Sequence, residues 1–347
     1  MSGRDPLAGK LPVTLITGFL GSGKTTLVSK LVRHPAMNRV AVVINEVGEI
    51  GIDHDIVAMS SENIALLANG CICCSVRTDL QETLRDLFAR RRVGEVADFD
   101  RVVIETTGLA DPAPVLQTLA SDTLVAAHFR LDGLVTLVDA VNAATQLKNH
   151  AEPAKQIALA DKVFITKGDL ASTEALEQVR QAVAEINPGA PVALVLHGEV
   201  DPQSLVDLGL ASAKAGPATL RFLGEPLEGE GSGGERRLAR RPELHDASIR
   251  TLSLRFDRPF TWNGFSAALE LLTTLRGPDL LRVKGIVNVE GRPVVVQGVQ
   301  HIFHPPVDLD RWPSEDQRTR LVFITRNIEA HTIRNLMEAV AQVAAAP

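Results

Sequence analysis

The stretch Gly18-Phe19-Leu20-Gly21-Ser22-Gly23-Lys24-Thr25 fits G-x-x-x-x-G-K-[ST], and its flanks give the pattern its meaning. Upstream, Val13-Thr14-Leu15-Ile16-Thr17 is an apolar, β-branched run; downstream, Lys24 to Arg33 has helical spacing. A strand that turns through glycines directly into a helix presents backbone N–H groups at the positive end of the helix dipole, an arrangement that suits a phosphate. Such a junction belongs in a parallel sheet covered by helices on both faces.

The following residues agree with that constraint. Continuous apolar runs at Val40–Asn45, Arg101–Ile104, Gly133–Val138, Lys162–Thr166 and Pro191–Leu196 read as buried strands. Helical stretches separate them, among them Thr78–Arg92 and Thr173–Ile186, the latter stopped by Asn187-Pro188-Gly189. The pattern breaks at Gly224, where a Gly-, Glu- and Arg-rich stretch begins that includes Arg236–Arg241. Beyond it come an alternating strand through Leu252, Leu254 and Phe256, a helix over Trp262–Leu275, and a hairpin, Leu280–Val289 and Pro293–Val299, around Glu290-Gly291. A strand over Leu321–Thr325 and a helix over Ile328–Val343 complete the order β-α-β-β-β-α. The expected fold is α/β, a P-loop NTPase parallel sheet, joined to a smaller C-terminal α+β domain near the ferredoxin-like type. The expected units are residues 1–223, a linker 224–247 and residues 248–347.

Composition removes several functions. A formal charge of −6 argues against nucleic acid as the main partner, and with 4% aromatics and no tyrosine a base-stacking platform is not expected. No run approaches the ~18–20 apolar residues that span a bilayer. The first ten residues are polar, and the apolar run after them leads into the phosphate loop, so it reads as a strand and not as a secretory signal. The expected location is the cytoplasm, with no membrane partner.

Within the loop, Gly18, Gly21, Ser22, Gly23 and Thr26 are expected to surround the phosphates. Lys24 is expected to reach the β- and γ-phosphates, and the Thr25 hydroxyl to ligate Mg²⁺. Val102-Val103-Ile104-Glu105-Thr106-Thr107-Gly108 supplies a strand-end carboxylate for the metal's surroundings, Glu105, and an amide to sense the γ-phosphate, Gly108. In Thr166-Lys167-Gly168-Asp169, the Asp169 carboxylate can accept from both donors of guanine's Watson–Crick edge while the Lys167 stem packs on the base. GTP is therefore expected over ATP. Thr166 stands where GTPases usually carry Asn, so part of the loop's support is expected to be lost. His197-Gly198, after the last sheet strand, is a base-contacting loop by position alone. Leu109 follows Gly108 in place of a water-orienting glutamine, which implies slow intrinsic hydrolysis, accelerated when a dimer partner or client completes the site. Glu46, Glu49 and Asp53 are candidate magnesium or water contacts.

All three cysteines fall in Cys71-Ile72-Cys73-Cys74, after Asn69-Gly70. Three thiolates on a short loop can bind Zn²⁺ and leave a tetrahedral position for another donor. The spacing is not the two-plus-two of a zinc finger, which favours an exchangeable site, and the thiols also suit Cu⁺, Co²⁺ or Ni²⁺. An inert buried trio and a strained vicinal disulfide are the other readings. His301 and His304 read as surface histidines before a metal pair.

Together, Gly18–Thr25, Asn45-Glu46-Val47-Gly48-Glu49, Asn69–Cys74, Glu105–Gly108 and Thr166–Asp169 resemble the CobW-like metallochaperone GTPases, relatives of the urease and hydrogenase maturation GTPases. Lys284-Gly285 and Gln297-Gly298-Val299 resemble that family's C-terminal domain. The resemblance implies a GTP-hydrolysing metal chaperone that binds zinc at Cys71, Cys73 and Cys74 and passes it to a client metalloprotein after hydrolysis. It also implies that Glu49 contributes to the metal site and that Lys24, Thr25, Asp53, Glu105 and Gly108 carry hydrolysis. Ile44 replaces a further acidic ligand of some relatives, and with only His245 in the linker no metal store is expected there. Three alternatives stay open: a GTP- and metal-binding regulatory module that delivers nothing, a phosphoryl transferase with a structural thiol site, and metal insertion of the cobalamin-biosynthesis or nitrile-hydratase-activator type.

Overall fold

The computed structural model describes residues 7–37, 39–45, 65–68, 76–206, 208–210, 214, 215, 219 and 249–343. Its first unit is a parallel sheet of seven strands: β1 (Leu11–Gly18), β2 (Val40–Asn45), β3 (Ala65–Ala68), β4 (Arg101–Thr106), β5 (Phe129–Asp139), β6 (Lys162–Thr166) and β7 (Val192–Val195). They lie in the order β3-β2-β4-β1-β5-β6-β7, so β1 is central, with β4 and β5 as its neighbours. Every strand end that follows the chain direction therefore emerges on one edge of the sheet, the edge where open α/β sheets bind ligands.

β1, β2, β4, β5 and β6 are apolar on both sides because both sides are covered. The strand at the sheet's edge, β7, corrects the expectation of a buried strand at Pro191–Leu196: it has a neighbour on one side only and leaves Val192 and Leu194 exposed. Ile16, Val42, Val103, Val135 and Phe164 pack beneath α1 (Lys24–Val32) through Leu27, Val28 and Leu31. Their strand neighbours Leu15, Val43, Ile104, Leu134 and Val163 face the other way. There they meet α2 (Val76–Val93) at Leu80, Leu84 and Leu87, α3 (Ala113–Ser121) at Leu116, α6 (Glu152–Leu159) at Ile157 and α7 (Thr173–Ile186) at Val183. Two short helices, α4 (Thr123–His128) and α5 (Ala143–Asn149), complete this layer. Ser172 caps α7 by accepting from the Ala175 N–H at 3.2 Å, so local chemistry sets that helix's start where its sequence pattern does.

The second unit contains β8 (Ile249–Phe256), α8 (Trp262–Arg276), β9 (Arg282–Val289), β10 (Arg292–Val299), β11 (Ile302–Phe303), β12 (Val307–Asp308), β13 (Thr319–Arg326) and α9 (Ala330–Val343). Its sheet is antiparallel, in the order β11-β10-β9-β13-β8 with β12 also on β10. β8, α8 and β9 form a split βαβ whose gap is filled by β13. The β9–β10 hairpin turns through Glu290 at φ 52° and Gly291 at φ 89°, the left-handed pair that a two-residue turn requires. Helices α8 and α9 cover one face, with Phe265, Leu269, Ile333 and Met337 against Leu254, Val283, Val287 and Phe323.

The other face is covered by the first unit. Ile249, Leu281, Val299 and Ile324 merge into the cluster that holds Leu116, Leu159 and Ile186. Two helix C-termini end at this junction, and donors from the second unit satisfy them. The Thr251 hydroxyl donates to Ile186 O at 2.8 Å, and the Arg282 guanidinium donates to Leu159 O. Asp161, with its side chain 4% exposed, accepts from Arg282, from Lys284 at 3.0 Å and from the Leu134 N–H at 2.9 Å. Burial works against the Asp161 charge, but Arg282 and Lys284 outweigh it and hold the carboxyl below the usual carboxylate range. Burial pushes the Lys284 ammonium down to about 8 despite Asp161. His304 lies in the same surroundings, where burial and the charge of Arg282 push it down to about 4.

Candidate nucleotide-binding site

The phosphate loop leaves β1 at Gly18, with φ 149°, and continues through Gly21 at φ 74° and Gly23 at φ 90°. At Gly18 a Cβ would lie 2.4 Å from Leu137 O, so only glycine fits between the loop and β5. Gly23 caps α1 in the left-handed region, and the Leu27 N–H donates back to its carbonyl at 3.0 Å. Lys24, 8% exposed, folds over the loop and donates to Gly18 O at 2.9 Å and Phe19 O at 3.2 Å. Its ammonium therefore sits inside the turn whose N–H groups would take the phosphates.

β4 delivers Glu105 to the same edge, in register with Ile16 on β1 and Ile44 on β2. The Thr25 hydroxyl donates to Glu105 Oε1 at 2.9 Å. A hydroxyl and a carboxylate in contact at a helix N-terminus form a hard oxygen set, the kind that suits Mg²⁺ beside a phosphate. Behind them, the Thr106 hydroxyl donates to that of Thr17 at 2.8 Å and ties β4 to β1. After Glu105 the chain presses on the phosphate loop, since a Cβ on Gly108 would lie 2.7 Å from Leu20 N.

The residues expected to recognise the base follow β6. Thr166 corrects an expectation: its hydroxyl donates to Ser22 O at 2.9 Å, with Val138 O at 3.3 Å. The shorter side chain keeps the loop support that the absence of Asn was expected to remove. Lys167 adopts φ 56°, and its ammonium donates to Asp139 Oδ2 at 2.8 Å. Burial raises the pKa of Asp139, but bonds from Lys167, Asn142 and the Val141 N–H outweigh it and leave the carboxyl below its ordinary range. Asp169 is exposed at the mouth, with His197 Nε2 3.9 Å from its Oδ2. At Gly198 a Cβ would lie 3.0 Å from Thr26 O, so the loop after β7 lies against the start of α1.

Cys71, Cys73, Cys74, Glu46, Glu49 and Asp53 lie outside the described residues. Among the described residues no group of three or more His, Cys, Asp or Glu side chains comes together to hold a metal. No helix among them is long and apolar enough to cross a membrane. Two contributors to the site were not anticipated. Asp139 carried a signal, an acid ending a buried strand at the ligand edge of a parallel sheet. Gln156, in the middle of α6, carried none; its amide donates to Gly108 O and Ala110 O, both at 3.2 Å.

A parallel sheet with this loop and a strand-end acid against its threonine defines a P-loop nucleotide-binding protein. The chain belongs to the CobW/HypB/UreG family: residues 12–194 match that family's nucleotide-binding domain, and residues 249–341 match the cobalamin synthesis protein CobW C-terminal domain. It is 35% identical over 332 residues to the zinc chaperone YjiA of Escherichia coli, covering 93% of this chain and 96% of that protein. It is 32% identical over 361 residues to the zinc chaperone CobW of Pseudomonas aeruginosa, covering 94% and 90%. The crystal structure of Zn(II)-bound YjiA GTPase from E. coli superimposes with a TM-score of 0.69 at 28% identity, over 95% of this chain and 99% of that one.

Proposed function

We propose that this protein is a GTP-hydrolysing metal chaperone that loads zinc at Cys71, Cys73 and Cys74, with Glu49, and releases it to a client metalloprotein on hydrolysis. The observation that carries the reading is end-to-end similarity to zinc chaperones, which spans both units and not the phosphate loop alone. In this reading GTP is bound by Gly18–Thr26 and by Thr166, Lys167 and Asp169. Mg²⁺ is held by Thr25 with Glu105 beside it, Lys24 balances phosphate charge, and Gly108 senses the γ-phosphate. Asp53 contributes to hydrolysis from the segment that follows β2.

Topology supports coupling between the two ligands. β3 and β4 flank β2 with Ala68 and Glu105 both opposite Ile44, so those two positions stand about 10 Å apart across the sheet. The chain leaves β3 at Ala68, three residues before Cys71, on the edge that carries the phosphate loop. A change in the residues around Glu105 thus has a short path to the residues before the thiols. Because thiolate ligands suit several soft ions, Co²⁺, Ni²⁺ and Cu⁺ are competitors for the same site.

The test is a competition titration of Zn²⁺ into protein bound to GDP or to a non-hydrolysable GTP analogue. The expected result is one equivalent bound, tighter with the analogue, and lost in a Cys71→Ser/Cys73→Ser/Cys74→Ser variant. One affinity in both nucleotide states sinks the coupling, and stoichiometric zinc in the triple variant sinks the thiol site.

A further inference from the structure

Gly108 has a glycine's freedom, and the exposed Leu109 after it offers no packing to fix the turn. The loop must therefore be oriented by its neighbours. On one side lies the phosphate loop, at van der Waals limits against Gly108. On the other lies α6. Gln156 is 1% exposed there, and its amide nitrogen donates to both Gly108 O and Ala110 O, which fixes a carbonyl on each side of Leu109. Beside it, Lys155 Nζ donates to Asp111 Oδ2 at 2.5 Å and holds the next residue of the same turn. The helix that carries both is itself anchored. Thr136 donates to Gln156 O at 2.7 Å from β5, and Asn187 donates to Ile157 O at 2.9 Å and Ala160 O at 2.8 Å. Arg282 of the second unit takes Leu159 O.

We propose that Gln156 is a positioning residue for hydrolysis: it sets the Gly108–Ala110 turn so that the Gly108 amide meets the γ-phosphate, a role that rests on the GTPase reading above. Its amide is suited to this because one NH₂ group supplies two donors to two carbonyls, which a carboxylate or a thioether of the same length cannot do. Gln156 touches neither nucleotide nor metal in this assignment and acts through the turn. A glutamine serving only the core would stabilise the protein alike with either nucleotide, whereas a positioning glutamine acts on the triphosphate state selectively.

Two variants separate these roles. Gln156→Met keeps the length and removes both donors. The expected result is a kcat for GTP lower by about tenfold or more, a KM for GTP raised in step with the loss of triphosphate affinity, and GDP affinity unchanged. The affinity advantage of a non-hydrolysable GTP analogue over GDP should shrink by a similar factor. Gln156→Glu places a buried acid between two carbonyls, where it carries a proton and donates once. Its kcat relative to wild type should therefore rise as pH falls from about 8 to about 6, as the buried carboxyl takes up its proton. Methionine activity within about twofold of wild type overturns the proposal, as does an equal loss of GDP and analogue affinity. If the methionine variant does not fold, a flat pH ratio for the glutamate variant overturns it. A wild-type protein that binds the analogue but hydrolyses no GTP refutes the GTPase reading instead, because the analogue-to-GDP ratio is read from binding alone.

Discussion

Arg282 and Lys284 both contact Asp161 across the junction between the two units, so its removal tests what joins them. Asp161→Asn keeps the shape and an acceptor for the Leu134 N–H, but leaves two cations buried side by side. Removing one partner of a buried pair typically costs about 3–5 kcal/mol, because the charge left behind is uncompensated. Lys284 softens this: burial already holds its ammonium at about 8, and without Asp161 it sheds its proton near neutrality. Arg282 cannot do the same, so the expected loss is near the lower end, about 3 kcal/mol. Asp161→Ala adds about 1–3 kcal/mol by orphaning the Leu134 N–H. The assay is urea unfolding followed by tryptophan emission and by far-ultraviolet circular dichroism. Both tryptophans, Trp262 and Trp312, lie in the second unit and the chain has no tyrosine, so emission reports on that unit alone. The emission midpoint should fall with Asp161→Asn and recover in Asp161→Leu/Arg282→Met/Lys284→Met, where an apolar trio replaces the charges. A loss under about 1 kcal/mol for Asp161→Asn, or strict additivity of Asp161→Asn with Arg282→Met, would refute the reasoning.

Three further outcomes follow from the geometry. Gly108→Ala places a Cβ 2.7 Å from Leu20 N, so GTP turnover should collapse while circular dichroism and GDP binding stay near wild type; full activity means the loops are not pressed together. Thr166→Val removes the hydroxyl bonded to Ser22 O, and nucleotide affinity by calorimetry should fall by roughly 2- to 10-fold, the worth of about 0.5–1.5 kcal/mol. His304 is held at about 4 in the folded protein against about 6.5 when unfolded, so the unfolded chain takes up the proton first as pH falls. Its contribution is complete above about pH 6.5 and is lost towards pH 4; with its remaining exposure the loss is roughly 1–2 kcal/mol. His304→Gln should flatten that part of the stability–pH curve, and an unchanged slope assigns it to other groups.

The chain order of buried strands and the bounds of α7 were legible because they rest on local signals, apolar runs, Ser172 at the cap and Asn187-Pro188 at the stop. The β9–β10 hairpin was legible for the same reason, since Glu290-Gly291 states its turn. β3 was not, because Ala65-Leu66-Leu67-Ala68 is four residues without a β-branched side chain and is a strand only through its pairing with β2. The phosphate-loop residues and Glu105 were readable from motif and context, but Thr166 was misjudged. An alignment-style reading saw a missing Asn, whereas a hydroxyl at the end of β6 reaches Ser22 O as well. Gln156 and the Asp161–Arg282 pair could not be read at all. Their partners lie 48 and 121 positions away in the chain, and only tertiary packing brings them together.

The face of the second sheet that packs on the first unit has a consequence for how the protein is made. Synthesis completes the first unit before β9, β10 and β13 exist, so the surface around Leu116, Leu159 and Ile186 waits in water without Ile249, Leu281, Val299 and Ile324. A nascent chain in that interval carries Asp161 without Arg282 and Lys284, and an open apolar surface of the kind that recruits chaperones or other unfinished chains. A chain that stops at residue 248 keeps that surface for good, and its yield in soluble form should depend on supplying residues 249–347 in trans.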